Sequence, residues 1–354
     1  MQDNDNFEPQ QENGEQAGTW TQAIRDRREK KRQKQAAKPK KTIPMEILSW
    51  VLTILAALAI AFVVRTFLAE PVRVQGESMD DTLANGEIMF VGKTSFGSRW
   101  LTLPWQTDEQ KEAAPRFAYF GDPSLFDVVI CRYPHRGDQN FVKRVVGKPG
   151  DRVALADGYL LVNGERYAES YINDDYRTGS GETYDEVTVP RRGDTVTLSD
   201  DTFTLNGADY ACGYTLLRVA GEGGEYKLRK VFGSADGAMW VRKDGALYRL
   251  ERGVWFRQAT NEEIAANAWS ARTRYQYPNE PTYDVYLVVS DSPMPDGDYT
   301  VQADYYFLMG DHRDSSNDSR YIGAVERTCL IGTVRQVIWP LGGWRPIRNG
   351  LNAN

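Results

Sequence analysis

Apolar and polar residues divide the chain into one long apolar segment near its start and many short alternating segments after it. No charged residue occurs in the eighteen positions from Ile47 to Val64, which as a helix would span about 27 Å, close to the ~30 Å hydrocarbon core of a bilayer. Trp50 and Arg65 suit the two membrane interfaces. The pattern therefore predicts a transmembrane helix over residues 47–69.

A cleaved signal peptide is the alternative interpretation of this segment. The apolar run exceeds the usual length of about 7–15 residues, begins deep in the chain, and is not directly followed by a small-x-small site. We therefore expect a retained anchor. Residues 25–41 carry ten Lys or Arg against two acids. The positive-inside rule then predicts that residues 1–46 are cytoplasmic and that the part from residue 70 onward is extracytoplasmic. The acidic, Gln- and Asn-rich start predicts a tail that is disordered or loosely helical.

Beyond residue 70, short segments rich in β-branched and aromatic residues are bounded by Gly, Pro or Asp. Asp157-Gly158 and Asn163-Gly164 predict tight turns. One helix is predicted over Asn261–Ser270, whose first turn is acidic. The pattern predicts a mainly β fold with antiparallel sheets. The predicted strands are Val72–Gln75, Glu87–Val91, Asp127–Tyr133, Asn140–Val146, Tyr159–Val162, Glu186–Val189, Thr195–Leu198, Thr202–Leu205, Ala238–Arg242, Leu247–Leu250, Val285–Val289, Tyr305–Leu308 and Gly332–Trp339.

The predicted strands fall into two groups separated by a long insertion. We predict a core formed by residues 70–151 and 305–348, into which residues 152–304 are inserted as a second β-rich lobe. Residues 94–122 are rich in aromatic residues and Pro. Their large apolar side chains either pack in the core or contact the bilayer interface, and the sequence leaves both alternatives open.

Charge and cysteine content exclude some classes of protein. The net charge is −6 and no large basic surface is implied beyond the run over residues 25–41, so we expect no nucleic-acid partner. The three cysteines, Cys131, Cys212 and Cys329, show no CxxC spacing, which argues against a metal site. Because their number is odd, at least one thiol is unpaired within a monomer.

Two residues combine into a candidate hydrolytic centre. Ser78 follows the apolar segment closely, and a serine hydroxyl needs a base to act as a nucleophile. In the predicted strand, Lys143 shares one face with Phe141 and Val145, whereas Arg144 lies on the other face, where it can pair with a carboxylate. Burial among apolar groups lowers the pKa of a lysine and so favours the neutral amine that a base requires. A lysine that merely extends its amine to the surface is the alternative.

A polar loop near the C-terminus, Gly310–Arg320, alternates Asp, Arg and Ser residues. By itself it could be a plain polar turn or a calcium loop, although Arg313 and Arg320 oppose a cation site. The two histidines of the chain, His135 and His312, leave open a Ser-His-Asp triad. These alternatives cannot be separated from the residue pattern of the loop alone.

Four segments, in this order after an apolar N-terminal segment, resemble the boxes of the bacterial type I signal peptidases (leader peptidases, the S26 Ser/Lys family). They are residues 76–83, 127–130, 141–151 and 310–323, with the sequences GESMDDTL, DVVI, FVKRVVGKPGD and GDHRDSSNDSRYIG. Three residues depart from the family pattern. Asp81 stands where proline is usual, His312 stands where asparagine is usual, and Gly76 occupies a position that is serine in some members.

The resemblance implies a membrane-anchored serine endopeptidase with an antiparallel β-sheet catalytic core, which removes signal peptides from exported preproteins at the bacterial cell membrane. It implies that Ser78 is the nucleophile, Lys143 the general base and Ser316 the residue that orients the Lys143 amine. It implies no metal and no organic cofactor. The residues expected to support the site are Gly76, Met79, Arg144, Asp311, Ser316, Asp318 and Arg320.

Preproteins, the lipid bilayer and a nearby secretion translocon are the partners that this resemblance implies. An anchored β-domain that only binds partners, without catalysis, is the alternative function. A self-cleaving repressor-like Ser/Lys protease is a second alternative, against which the apolar anchor and the absence of a DNA-binding segment argue.

Overall fold

The computed structural model describes residues 22, 25–32, 43–94, 96, 121–133, 139–172, 176, 181–199, 202–209, 217–230, 239–251, 253–266, 272–276 and 283–347. They belong to two compact units, Met1–Phe62 and Val63–Asn354. Several sequence predictions fall outside the described residues. They are the disorder of most of residues 1–46, all but four positions of residues 94–122, the end of the predicted helix 261–270, and the surroundings of His135 and Cys212.

The apolar segment is a helix, α1, over Ile43–Val63. Within it, Met45–Val63 has a mean hydropathy of 2.3 and is the one described helix long and apolar enough to cross a membrane. A single wider helical turn, Val64–Leu68, follows it. The helix therefore begins before the predicted boundary at residue 47, and Ala69 already belongs to the first strand. Residues 25–32, in the basic run, are also helical and exposed.

The rest of the described chain is built from strands, as the alternating pattern predicts. Two short α-helices complete it, α2 (Asn261–Ala265) and α3 (Ser319–Ile322), together with three 3-10 turns, Arg313–Ser315, Arg327–Cys329 and Leu341–Gly343. The strands are β1 Ala69–Arg73, β2 Ile88–Gly92, β3 Val128–Arg132, β4 Asn140–Gly147, β5 Arg152–Ala156, β6 Tyr159–Val162, β7 Glu165–Arg166, β8 Tyr184–Thr188, β9 Thr195–Ser199, β10 Thr202–Leu205, β11 Ala208–Asp209, β12 Leu217–Gly221, β13 Gly224–Lys230, β14 Met239–Lys243, β15 Ala246–Glu251, β16 Val254–Gln258, β17 Arg272–Gln276, β18 Tyr283–Val289, β19 Gly297–Val301, β20 Tyr305–Met309, β21 Val325–Glu326, β22 Leu330–Trp339 and β23 Arg345–Pro346.

The strands form three antiparallel sheets. The first has the order β1-β2-β22-β3-β4-β20-β21, with β23 also paired to β22. The second, β7-β6-β5-β8, and the third, β11-β10-β9-β19-β12-β13-β14-β15-β16-β18-β17, contain only strands from residues 152–304. The mainly β, antiparallel fold class with an inserted β-rich lobe is therefore confirmed. The exact domain boundaries stay a prediction, because the two regions share apolar contacts.

Turn residues fix several of these strands where the sequence predicts them. Asp157 and Gly158 have φ values of 50° and 77°, and Asn163 and Gly164 have φ values of 56° and 81°. Positive φ at both central residues is the requirement of the tight hairpin turn that Asx-Gly pairs favour. The hairpins on either side of Tyr159–Val162 are thereby confirmed.

Three apolar clusters hold the first sheet. One packs Met79 and Leu83, in the turn that follows Ser78, against side chains of β2, β3 and β22. Another surrounds the Lys143 region and contains Val129, Cys131 and Val145. The third joins the back of the first sheet to the inserted lobe, so the lobe supports the sheet that carries the candidate site.

Candidate active site

Ser78 lies in a turn that buried neighbours hold against the first sheet. Met79 and Leu83 are 2% and 0% exposed, and the Leu83 N–H donates to the Met79 carbonyl at 2.6 Å. Gly76 has φ +93°, a conformation that a residue with a side chain rarely adopts, so glycine allows the chain to turn into the Ser78 loop. Ser78 itself remains half-buried, with its hydroxyl at the surface of a groove.

Lys143 extends from β4 toward Ser78 and is almost completely buried. Its side chain is 2% exposed, and its Nζ lies 2.6 Å from Ser78 Oγ, within hydrogen-bond distance. Burial lowers the pKa of Lys143, while the negative charge of Asp318 opposes that shift. The net effect enlarges the neutral fraction of the amine at a given pH, which is the form that can accept a proton. The alternative of a lysine with its amine at the surface does not hold.

Arg144 lies on the opposite face of β4, as the alternation predicts, and pairs with a carboxylate. Its Nε and Nη2 donate to the two carboxylate oxygens of Asp311 at 2.8 and 2.6 Å. Its Nη1 donates to the Phe126 carbonyl at 2.8 Å, and its guanidinium stacks at 3.8 Å over the Tyr171 ring. Burial by itself would lower the pKa of Arg144, but the charge of Asp311 and its hydrogen bonds raise it, so the guanidinium stays charged.

A second buried ion pair organises the Gly310–Arg320 loop. Nε and Nη2 of Arg320 each donate at 2.9 Å to Asp318, whose Oδ2 also accepts the Gly310 N–H at 3.0 Å. Burial by itself would raise the pKa of Asp318, but the hydrogen bonds and charge of Arg320 lower it. Asp318 is therefore ionised, and its loop closes against the Ser78 turn.

Gly310 lies where this loop passes closest to the nucleophile turn. A Cβ at this position would collide with the Ser316 hydroxyl and the Ser78 carbonyl oxygen. The backbone N–H of His312 donates to the same Ser78 carbonyl at 3.2 Å. The absence of a side chain at Gly310 thus allows the loop to reach Ser78.

An open groove of about 710 Å³ has Ser78 in its wall and ends along β4 at the residue before Lys143. Residues 71–76, 78–79 and 139–142 line it. β20 pairs with β4 only from Arg144 to Gly147, so the other half of β4, residues 140–143, has no partner strand on that side in the described part of the chain. β1 is the terminal strand at the other end of the sheet order. An extended peptide therefore finds unpaired backbone groups along the groove.

The chain is similar to known proteins of one family. The model of the family described as signal peptidase, peptidase S26, matches residues 47–205 and 187–339. The chain belongs to this family. It is 29% identical over 266 residues to signal peptidase I of Pseudomonas fluorescens, a match that covers 75% of this chain and 59% of that protein. It is 36% identical over 129 residues to signal peptidase I P of Bacillus subtilis subsp. natto, covering 36% of this chain and 57% of that protein.

The matches thus span less than two thirds of the length of these relatives. A crystal structure of signal peptidase I from Enterococcus faecalis V583 is 17% identical, with a TM-score of 0.26 over 60% of this chain and 97% of that one.

The predicted hydrogen bond between Ser316 and the Lys143 amine is not formed. The Ser316 hydroxyl is buried and makes no hydrogen bond to the Lys143 amine. The resemblance implies a bond from Ser316 to the Lys143 amine, whereas the amine lies beside Ser78 Oγ. Its orienting role stays a prediction.

Two carboxylates from residues 152–304, which the sequence pattern did not predict, pair with arginines of the Gly310–Arg320 loop. Glu169 accepts hydrogen bonds from Nη2 of Arg313 and, at 2.6 Å, from the Tyr171 hydroxyl. Glu182 accepts from Nη1 of Arg320 at 2.6 Å. The available signal was the presence of two arginines, Arg313 and Arg320, in the loop, which does not show where their carboxylate partners lie.

His312 occupies a different place from the one a catalytic triad would give it. Its Nδ1 lies 3.0 Å from the Glu77 carbonyl oxygen, and Lys143 rather than the imidazole contacts Ser78 Oγ. Asp81, the other departure from the family pattern, is exposed in the turn after Ser78. His135 lies outside the described residues.

Proposed function

We propose that this protein is a membrane-anchored serine endopeptidase that cleaves N-terminal signal peptides from exported preproteins with a Ser78/Lys143 dyad. The observation that carries the proposal is the 2.6 Å separation of Lys143 Nζ from the Oγ of Ser78, a residue that lines an open groove. A buried lysine with a lowered pKa beside a half-exposed serine hydroxyl is the arrangement that nucleophilic catalysis requires.

In the first step, neutral Lys143 accepts the proton of the Ser78 hydroxyl as Oγ bonds to the scissile carbonyl carbon. The carbonyl π electrons move to the oxygen, and the Ser78 backbone N–H stabilises the resulting oxyanion. When this intermediate collapses, the C–N bond breaks, and protonated Lys143 gives its proton to the leaving amine. The product is an ester between Ser78 and the signal peptide.

In the second step, Lys143 activates a water that attacks the ester. The water loses a proton to Lys143, its oxygen bonds to the carbonyl carbon, and Ser78 Oγ leaves and regains a proton from Lys143. One base therefore serves both halves of the reaction, and Ser316 would orient its amine.

The supporting residues keep this geometry by charge pairing and packing. The Arg144–Asp311 and Arg320–Asp318 pairs are buried and fix the loop that closes on Ser78. Met79 anchors the nucleophile turn, and its sulfur lies 3.4 Å from the Asp311 N–H. Gly76 allows the turn before Ser78. Because glycine has no side-chain hydroxyl, the Ser78 backbone N–H would be the oxyanion donor.

The substrate would lie extended in the groove, paired with the strand edges before Ser78 and around Lys143. The apolar helix α1 would anchor the enzyme by a single pass, with the basic run over 25–41 on the cytoplasmic side and residues 70–354 outside. The core of residues 70–151 and 305–348 would carry the chemistry close to the secretion translocon.

Cleavage of one purified preprotein by the full chain in detergent tests the proposal. Wild type should release the mature protein with the expected N-terminus, whereas Ser78→Ala and Lys143→Met should each retain below about 1% of the rate, since a general base contributes about 10²–10⁴-fold. Lys148→Met, at an exposed position beyond β4, is the matched control and should keep wild-type activity. Cleavage by Ser78→Ala would contradict the nucleophile, and cleavage by Lys143→Met the base.

A further inference from the structure

The peptide group between Glu77 and Ser78 is held at its carbonyl end by two hydrogen bonds. Nδ1 of His312 lies 3.0 Å from the Glu77 oxygen, and the Asp80 N–H donates to the same oxygen at 3.0 Å. A carbonyl oxygen only accepts hydrogen bonds, so Nδ1 carries the proton. The His312 backbone N–H also donates to the Ser78 carbonyl. His312 thus holds the nucleophile turn through both its backbone and its side chain.

The other end of the same peptide group is the Ser78 N–H. In the described part of the chain no group accepts a hydrogen bond from it, so it is available to an oxygen bound beside Ser78 Oγ. Gly76 has no side-chain hydroxyl that could act as a second donor. This backbone N–H is therefore the oxyanion donor that the residues around Ser78 offer.

We propose that His312 is a positioning residue for this donor, an inference that rests on the proposed function. Because the peptide group is planar, a contact that fixes the Glu77 carbonyl also fixes the direction of the Ser78 N–H. A hydrogen bond to the carbonyl oxygen also polarises the group and strengthens the N–H as a donor. Both effects grow as negative charge develops on the substrate oxygen, so they favour the transition state over the bound substrate.

The expected effect is smaller than the loss of the donor itself. Removing a direct oxyanion donor lowers kcat by about 10²–10³-fold. His312 acts through the peptide group, and the Asp80 N–H continues to hold the Glu77 carbonyl in its absence. The loss of one net hydrogen bond corresponds to a factor of about 5 to 10. We therefore expect His312→Ala to lower kcat by about that factor with little change in KM.

The test compares three variants of the full chain. His312→Ala removes the side-chain contact, and His312→Asn restores a side-chain N–H donor and should recover most of the activity. His135→Ala replaces the other histidine of the chain and should behave like wild type. A purified preprotein gives kcat and KM for each variant, and a thermal melt checks that each is folded.

A peptide aldehyde that ends at the scissile position provides a transition-state readout. Ser78 Oγ bonds to the aldehyde carbon, the carbonyl π electrons move to its oxygen, and the hydroxyl proton moves to Lys143. The adduct therefore carries the oxyanion without a leaving group. His312→Ala should weaken aldehyde inhibition by the same factor as it lowers kcat. Ground-state binding is measured with the inactive Ser78→Ala variant, which does not cleave the substrate peptide. Its Kd for that peptide should stay the same when His312→Ala is added.

An unchanged kcat in His312→Ala would overturn the positioning role. An equal loss in ground-state peptide binding would also overturn it, because the residue would then act on substrate binding as a whole. Failure of wild type to cleave any signal peptide, or retention of cleavage by Ser78→Ala, would instead refute the proposed function, so the two failures are distinguishable.

Discussion

The buried Arg144–Asp311 pair gives a quantitative test of how the site is held. The two side chains are 1% and 0% exposed, and Asp311 accepts two hydrogen bonds from the guanidinium, at 2.8 and 2.6 Å. Asp311→Asn keeps the shape of the side chain but removes its charge. The guanidinium of Arg144 then remains charged and buried without the carboxylate that accepts its two hydrogen bonds.

Breaking a buried pair on one side costs about 3–5 kcal/mol of folding free energy, because the remaining charge is neither paired nor solvated. Asn retains one acceptor oxygen, and Arg144 keeps the Phe126 carbonyl and the Tyr171 ring as partners. We therefore expect a loss near the lower limit, about 3 kcal/mol. Domains of this kind are stable by about 5–15 kcal/mol, so the variant should remain folded and unfold at a lower urea concentration.

Urea unfolding of the full chain in detergent, followed by near-UV circular dichroism, measures the loss. A double-mutant cycle with Arg144→Met isolates the pair, and the double variant should lose at least about 2 kcal/mol less than the sum of the single losses. Glu186→Gln is the matched control. Its exposed pair with Arg152 spans 3.3 Å at exposures of 46% and 55%, and its loss should change stability by less than about 0.5 kcal/mol.

Two results would refute this reasoning. One is a loss below about 1 kcal/mol for Asp311→Asn, and the other is strict additivity in the cycle. Either result would mean that the two charges are not paired in the folded protein.

Three further predictions concern the base, the substrate and the topology. Because burial lowers the pKa of Lys143, kcat/KM should rise with pH through an apparent pKa below 10.5. Lys143→Arg should be inactive at every pH, because a guanidinium does not lose its proton. A rise of kcat/KM only above pH 10.5 would contradict the buried base. Strand pairing in the groove points alternate side chains of the substrate toward the enzyme, and the family resemblance implies that the pockets there are shallow. A bulky residue at the first or third position before the scissile bond should therefore block cleavage of a preprotein. The second position should tolerate most changes. Protease added to spheroplasts should digest residues 70–354 and spare the segment before Ile47, and protection of the larger part would reverse the orientation.

The sequence determined the elements whose signals are local. The Asn163-Gly164 pair sets a turn because both residues accept positive φ, and the strand Tyr159–Val162 lies where its alternation predicts. The apolar segment before Ser78 is a helix, as its uninterrupted run of uncharged residues predicts. Lys143 and Arg144 point to opposite sides of β4 because neighbouring residues of a strand must.

Some strands of the inserted lobe were harder to predict, because hydrogen bonds to neighbouring strands stabilise them more than their own composition does. β12 and β13 contain glycines and charged residues, and the sequence analysis predicted neither. In the structure, β12 pairs with β13 and β19, and β13 pairs with β14. The hydrogen bonds of a sheet come from neighbouring strands, so a segment with a weak propensity still extends when strong partners flank it.

Only the tertiary structure decided how the candidate site is enclosed. Ser78, Lys143 and the Gly310–Arg320 loop lie far apart in the sequence. Only the resemblance to the S26 family predicted that they form one site. Folding brings Lys143 within 2.6 Å of a residue 65 positions away, and it gives Arg313 a carboxylate partner, Glu169, that lies 144 positions away. Such contacts leave no local pattern, because buried charges select partners by position in space, and only the folded chain determines that position.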